Sequence, residues 1–199
     1  MSEVTPRAQA RAQPGRDVPL TLRGPEAGGP WGRIELVVGG AGAASVDGWL
    51  LADPEGGAAG SVRPDPAAAG PPRWLASPPA WPGSVPDEAP GAPRGDAAAF
   101  GQAREDVLLA ACYAAGLAAA ERAGVERLGI ASLGAATGRP FPVDRAARVA
   151  LGHAVGHFAR RPAPEHPAAV VFFLSEEEAA VYRHLIRTRS EWAAGRRRA

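Results

Sequence analysis

The second half of the chain alternates helix, strand, helix, strand, helix over residues 104–192, and few architectures accept such a series. REDVLLAACYAAGLAAAERAG (104–124) reads as a helix with acidic residues in its first turn and Gly124 as its stop. RLGIAS (127–132) reads as a strand. VDRAARVALGHAVGHFARR (143–161) reads as a second helix, with Ala147, Leu151, Ala154 and Phe158 at core-facing spacing. AAVVFFL (168–174) is a continuous apolar run, the pattern of a strand covered on both faces. SEEE (175–178) then forms a capping box, in which the Ser175 hydroxyl accepts from the third helical N–H and Glu178 reaches back. The helix it opens runs to about Trp192.

The first half carries strands. VPLTLR (18–23), RIELVV (33–38), VDGWLL (46–51) and RWLAS (73–77) are short β-prone runs separated by Gly, Pro and Ala. Strands followed by an alternating series predict an α/β fold, a mixed sheet with helices on both faces. With 199 residues the chain suits one domain. Its expected limits are a disordered arm over 1–15, a single domain over 16–192 and a basic tail over 193–199. Residues 78–103 hold six prolines and no periodicity, and read as a long surface loop.

Composition excludes several classes. The net charge is +1, which gives no electrostatic case for nucleic acid or an anionic membrane. Residues 1–18 have no apolar core of a leader, and no apolar run approaches ~20 residues, so the expectation is a cytoplasmic, monomeric protein. All 22 basic residues are Arg, and Asn is absent. With 25 Gly and 21 Pro, Gly and Arg partly reflect codon bias, and each deserves a discounted functional reading. The one cysteine, Cys112, sits in an apolar helical run and reads as a buried small hydrophobe. His153 and His157 are spaced i, i+4, but no third metal ligand is evident and the helical wheel turns both toward solvent. No metal and no cofactor is expected. Ser132, Ser175 and Ser190 lack a nucleophile-elbow context.

Two loops of small residues remain. GAATG, comprising Gly134, Ala135, Ala136, Thr137 and Gly138, follows a strand and precedes a helix start. EGGAAG, with Gly56, Gly57 and Gly60, follows the strand 46–51. Loops of this kind let backbone amides approach an anion and aim a helix dipole at it. Neither is a dinucleotide fingerprint or a Walker loop. In open α/β sheets ligands settle at the carboxyl ends of the strands, and both loops leave strands at that edge.

From Arg104 to Trp192 the order of features resembles the C-terminal half of a macro domain, the ADP-ribose-binding α/β module. The residues that carry the resemblance are Cys112-Tyr113-Ala114-Ala115-Gly116-Leu117-Ala118 in the first helix, then LGIASLGAATGRPFPVDRAARVA (128–150), then VVFFLSEEEAAVYRHL (170–185). Pro140 reads as an insertion, so either Ala136 or Gly138 stands at the family's loop glycine. The first half matches in outline, through RIELVVGGAGAASVDGWLLADPEGGAAG (33–60) and RWLASPPAW (73–81). Gly40 stands where the family has the Asp that hydrogen-bonds adenine, and Leu51-Ala52-Asp53-Pro54 replaces an Asn-Ala-Ala-Asn segment.

The resemblance implies a three-layer α/β/α fold with a mixed central sheet, and binding of ADP-ribose or a related nucleotide diphosphate between the two loops. Phe173 is expected to pack against adenine, and an ADP-ribosylated protein is the implied partner. A hydrolase acting on ADP-ribosyl groups or on the O-acetyl ester is the enzymatic alternative. It needs Asp53 as base, because no Asn exists to do the family's work. A macro fold acting as a non-catalytic interaction module is the third reading.

Overall fold

The computed structural model describes residues 22–23, 29–39, 45–81, 96–135, 140–160 and 167–196. The strands are β1 (Leu22–Arg23), β2 (Ile34–Val38), β3 (Gly48–Ala52), β4 (Val62–Pro64), β5 (Arg73–Ala76), β6 (Arg127–Ala131) and β7 (Ala169–Leu174). The helices are α1 (Asp96–Arg122), α2 (Val143–Arg160) and α3 (Glu176–Arg196). The strands form one mixed sheet in the order β1-β2-β7-β6-β3-β5-β4, with the five inner strands parallel and both edge strands antiparallel. This is the mixed-sheet α/β fold that the alternation predicts.

Register explains why the strands read as they do. Trp74, Leu50, Ile130, Phe172 and Leu36 pair in one row across five strands, and the last four are fully buried. The helices cover this row: α1 lies against β5, α3 against β2 and β7, and α2 packs against both other helices. Phe172 meets Tyr182 of α3 at 5.4 Å between ring centroids. Tyr113 of α1 shares a hydrogen bond with Tyr182, and burial raises both phenols above their ordinary pKa. Among the described residues all three helices share this face, so the helices expected on the other face are not found among them. The alternate row, Trp49, Gly129, Val171 and Glu35, faces the other way. Its Glu35 is buried and held by Arg127 through bonds of 3.0 and 2.9 Å.

Several sequence expectations shift. α1 begins at Asp96, so residues 96–103 extend the helix rather than the loop. DAAAFGQA is rich in good helix formers, and the proline spacing ends before it. β4 is missed by the sequence because VRP is three residues with a proline, a pattern confined to sheet edges. His157 is buried and packs edge-on against Phe158 at 5.6 Å, and His153 is half-buried. The solvent-facing expectation for this pair fails because α2 lies between two helices, which widens its buried sector beyond the Leu151–Phe158 stripe. Burial pulls the His153 pKa below its ordinary value, with the Arg160 charge adding to it.

The capping box is present, with Ser175 N–H donating to Glu178 at 2.9 Å and Glu178 N–H to Ser175 Oγ at 3.3 Å. Cys112 is fully buried, and desolvation pushes its thiol up to about 11, which keeps it protonated at neutral pH. No helix among the described residues is long and apolar enough to cross a membrane. No cluster of metal ligands occurs among them. Residues 1–15 and 197–199 lie outside the described residues.

Candidate functional site

Because the inner strands are parallel, Val38, Leu174, Ala131, Ala52 and Ala76 all end on one edge of the sheet. β3 and β6 are hydrogen-bonded neighbours. The segments that leave them, 53–61 and 132–142, therefore start about 4.8 Å apart. The fold thus starts the two small-residue loops from neighbouring strands.

The first loop is tied down at both ends. Asp53 N–H donates to Ala76 O at 2.6 Å, Gly60 N–H to Ser77 O at 2.8 Å, and Ser77 N–H to Ser61 O at 2.9 Å. Gly56 and Gly60 adopt φ of 75° and 87°, a left-handed backbone that only glycine takes without strain. Gly57 lies so close to the next segment that a Cβ there would sit 2.5 Å from Ser77 Oγ. With these bonds made, the amides of Gly57, Ala58 and Ala59 have no acceptor among the described residues, and all three residues are exposed. Consecutive amides of this kind are able to accept an anion where they converge on it.

Asp53 has a different role from the one expected of a base. Its Oδ2 accepts from Arg63 Nε at 2.8 Å, and its Oδ1 from Arg63 Nη2 at 3.0 Å and from the Glu55 amide at 3.1 Å. Arg63 also reaches Glu55 at 3.1 Å. The Asp53 side chain is fully covered, while that of Arg63 is 42% exposed. The Arg63 hydrogen bonds hold the Asp53 carboxyl below its ordinary 3.8. A covered, paired and weakly basic carboxylate is a clamp for the loop rather than a base poised for a substrate proton.

The sign of that shift sets a pH dependence. The folded pKa lies below the unfolded one, so the clamp's stabilisation is complete above pH 3.8 and fades as pH falls through the lower folded value. Asp53→Asn is therefore expected to lower stability at neutral pH and to flatten the loss of stability below about pH 4. Urea denaturation at stepped pH measures this; parallel wild-type and variant curves down to about pH 2 would contradict it.

The second loop turns tightly after β6. Residues Leu133–Ala135 make one 3-10 turn, Ala135 N–H donates to Ser132 O, and Phe141 N–H closes the loop onto Gly134 O at 2.9 Å. Gly134 is buried against α2, where a Cβ would sit 2.8 Å from that of Ala146. Ala136, Thr137 and Gly138 lie outside the described residues, as does Gly40. Phe173 is on the sheet face away from the helices, half-buried, with its ring 4.8 Å from that of Trp49.

Beyond the second loop the structure holds a group that sequence reasoning missed. Asp106 of α1 takes Arg145 of α2 in a bidentate pair, both bonds 2.6 Å. The Arg145 guanidinium lies 5.0 Å above the Trp81 ring, and Trp81 sits 5.0 Å from Phe141. Trp81, Asp106 and Arg145, together with Pro142, Asp144, Arg148 and Val149, line an open groove of about 550 Å³ between α1 and the start of α2. The partners are 39 residues apart in sequence, so no local spacing marks them.

No protein-family model matches the chain, and no curated protein sequence does either. Solved structures do match. The Oceanobacillus iheyensis macrodomain with ADP superposes with a TM-score of 0.58 at 16% identity, covering 79% of this chain and 92% of that one. The Trypanosoma brucei macrodomain in complex with ADP-ribose gives 0.57 at 16%, covering 83% and 74%. The macro domain of ganglioside induced differentiation associated protein 2 gives 0.58 at 17%, covering 79% and 84%. At such identities the likeness is one of fold.

Proposed function

We propose that this chain, whose fold is that of a macrodomain, binds ADP-ribose or a related nucleotide diphosphate between loops 53–61 and 132–142. The observation that carries the reading is the run of free amides at Gly57, Ala58 and Ala59, set beside a second glycine loop on the neighbouring strand. Phosphate oxygens accept from such amides, and the positive end of the α2 dipole reaches the same edge. Gly56, Gly57 and Gly60 shape the first half of the cradle. Gly134 and Ala135 begin the second, and Ala136, Thr137 and Gly138 continue it. Two of the structural neighbours hold ADP or ADP-ribose, which supports the same class of ligand here. The group bound is the free nucleotide or the same group on a modified protein.

Recognition by amides suits a chain with a net charge of only +1. The hydrolytic alternative depends on Asp53, and its clamp to Arg63 leaves binding without turnover as the better reading.

Calorimetric titration with ADP-ribose tests the proposal. At ligand a hundred-fold above the dissociation constant, linkage adds about 2.7 kcal/mol of stability, visible as a raised melting temperature. Absence of both heat and thermal shift at millimolar ligand would overturn the reading. Gly57→Val displaces the loop from Ser77 and is expected to weaken binding about tenfold or more, the cost of one or two hydrogen bonds to a charged group.

A further inference from the structure

The segment that leaves β5 touches both candidate phosphate loops. Ser77 is buried and bonded twice to the first loop, its carbonyl accepting from Gly60 N–H at 2.8 Å and its N–H donating to Ser61 O at 2.9 Å. Its hydroxyl lies against Gly57, where a Cβ would not fit. Four residues on, the Trp81 ring meets that of Phe141, with centroids 5.0 Å apart. Phe141 is buried beside Gly134, and its N–H closes the neck of the second loop onto Gly134 O at 2.9 Å. Between the two anchor points lie Pro78, Pro79 and Ala80. Each proline ring holds φ at about −65°. A segment this short and this stiff transmits position from one end to the other instead of absorbing it.

Trp81 is also held from the helix layer. The Arg145 guanidinium covers the indole at 5.0 Å, and Asp106 fixes that guanidinium by two bonds of 2.6 Å. The backbone N–H of the same arginine donates to Pro142 O at 3.0 Å, which ties the start of α2 to the end of the second loop. The indole is therefore engaged by a guanidinium and a phenyl ring of the protein itself, and its part is mechanical. Without it, the neck of the second loop loses its link to the segment that anchors the first.

We propose that Trp81 is a positioning residue for the diphosphate: through the Ser77–Trp81 segment it sets the gap between the two loops, and so selects two linked phosphates over one. The inference rests on the diphosphate reading above and adds the residue that makes that site selective. Two phosphates joined by one oxygen have a nearly fixed separation, and donors for such a group must be held to within about 0.5 Å. A monophosphate engages one loop at a time and does not sense the gap. Selectivity thus resides partly in a side chain that acts through its neighbours.

Calorimetry with ADP-ribose, ADP and AMP on the full chain compares wild type with Trp81→Ala, Trp81→Phe and Arg145→Met. ADP and AMP share the base and the first phosphate, so their difference reports the second phosphate. Expected in Trp81→Ala is a loss of about tenfold or more for ADP-ribose and ADP, the cost of misplacing one or two hydrogen bonds to a charged group, with AMP unchanged. Trp81→Phe keeps a ring against Phe141 and restores most of the affinity. Arg145→Met removes the cover from the indole and reproduces part of the loss. Hydrogen exchange on the free variants separates positioning from general loosening. In Trp81→Ala the amides of Gly60 and Phe141 exchange faster, while those inside β6 and α2 keep their wild-type rates. Equal losses for ADP and AMP, unaltered affinity for all three, or faster exchange throughout the sheet each overturns the role of Trp81 and leaves the diphosphate reading standing. If wild type binds AMP as tightly as ADP, or binds none of the three, the diphosphate reading falls and this proposal with it.

Discussion

Arg127→Ala is expected to lower the unfolding free energy by about 3 kcal/mol, near the lower end of the range for breaking a buried ion pair. Glu35 lies near the start of β2, its side chain 6% exposed, and both its oxygens accept from the Arg127 guanidinium. The pair bridges β2 and β6 across β7, so it ties together strands that do not touch. Arg127 also donates from Nε to Ser45 O at 2.7 Å, which anchors the approach to β3. Truncating the arginine leaves a desolvated carboxylate without its bidentate partner and frees that approach. The neighbouring anchor survives, because Asp47 accepts from the backbone amides of Glu126 and Arg127 at 2.9 and 2.6 Å. Replacing both partners with apolar residues, Glu35→Leu with Arg127→Met, is expected to recover most of the loss, since no charge is then stranded. Urea denaturation of the two variants measures both values. A single variant within 1 kcal/mol of wild type would show that solvent reaches Glu35 freely.

Leu50→Ala is expected to cost about 2–5 kcal/mol. Leu50 is fully buried at the centre of the row that faces the helices, and α1 approaches it at Gly116. A methyl added at Gly116 would run into the Leu50 side chain, so helix and strand are in contact with no spare volume. Gly116→Ala alone therefore sets a gain in helix propensity of about 1 kcal/mol against an overpacking cost of about 1–3 kcal/mol. The two changes together are expected to cost clearly less than the sum of the singles, because the added methyl enters the space the leucine vacates. Additive costs would mean that α1 shifts to absorb each change separately.

The parts of this fold that were legible in sequence are those written in short-range pattern. The apolar run of β7, the capping box at Ser175 and the stripe of α2 each declare themselves within a few residues. So does the order of elements over 104–192, which carries the macro-domain resemblance and the macrodomain fold. That the two glycine loops leave neighbouring strands was not written in that order and emerges only from the pairing of β3 with β6. The parts that stayed hidden depend on partners far apart in the chain. Asp53 reads as a free carboxylate until Arg63 of an unforeseen edge strand closes on it. His157 reads as exposed until α1 and α3 flank its helix. Trp81 reads as one more residue of a proline-rich stretch until Arg145 and Asp106 meet it. Side-chain pairing across distant elements leaves no periodicity to read.

The place of β7 has a consequence for how the chain reaches this state. β2 joins the rest of the sheet only through β7, in a register that sets Ile34 against Val170. Until residues 169–174 have left the ribosome, β2 has β1 as its only strand partner and β6 presents an open parallel edge. Both waiting edges, IELVV and RLGIA, are apolar apart from Glu35 and Arg127. The sheet is thus completed by insertion of a late strand between two early ones, a long-range closure that makes folding slow and leaves adhesive edges uncovered in the meantime. Synthesis rate and chaperone supply are therefore expected to govern the yield of folded protein more strongly than its final stability does.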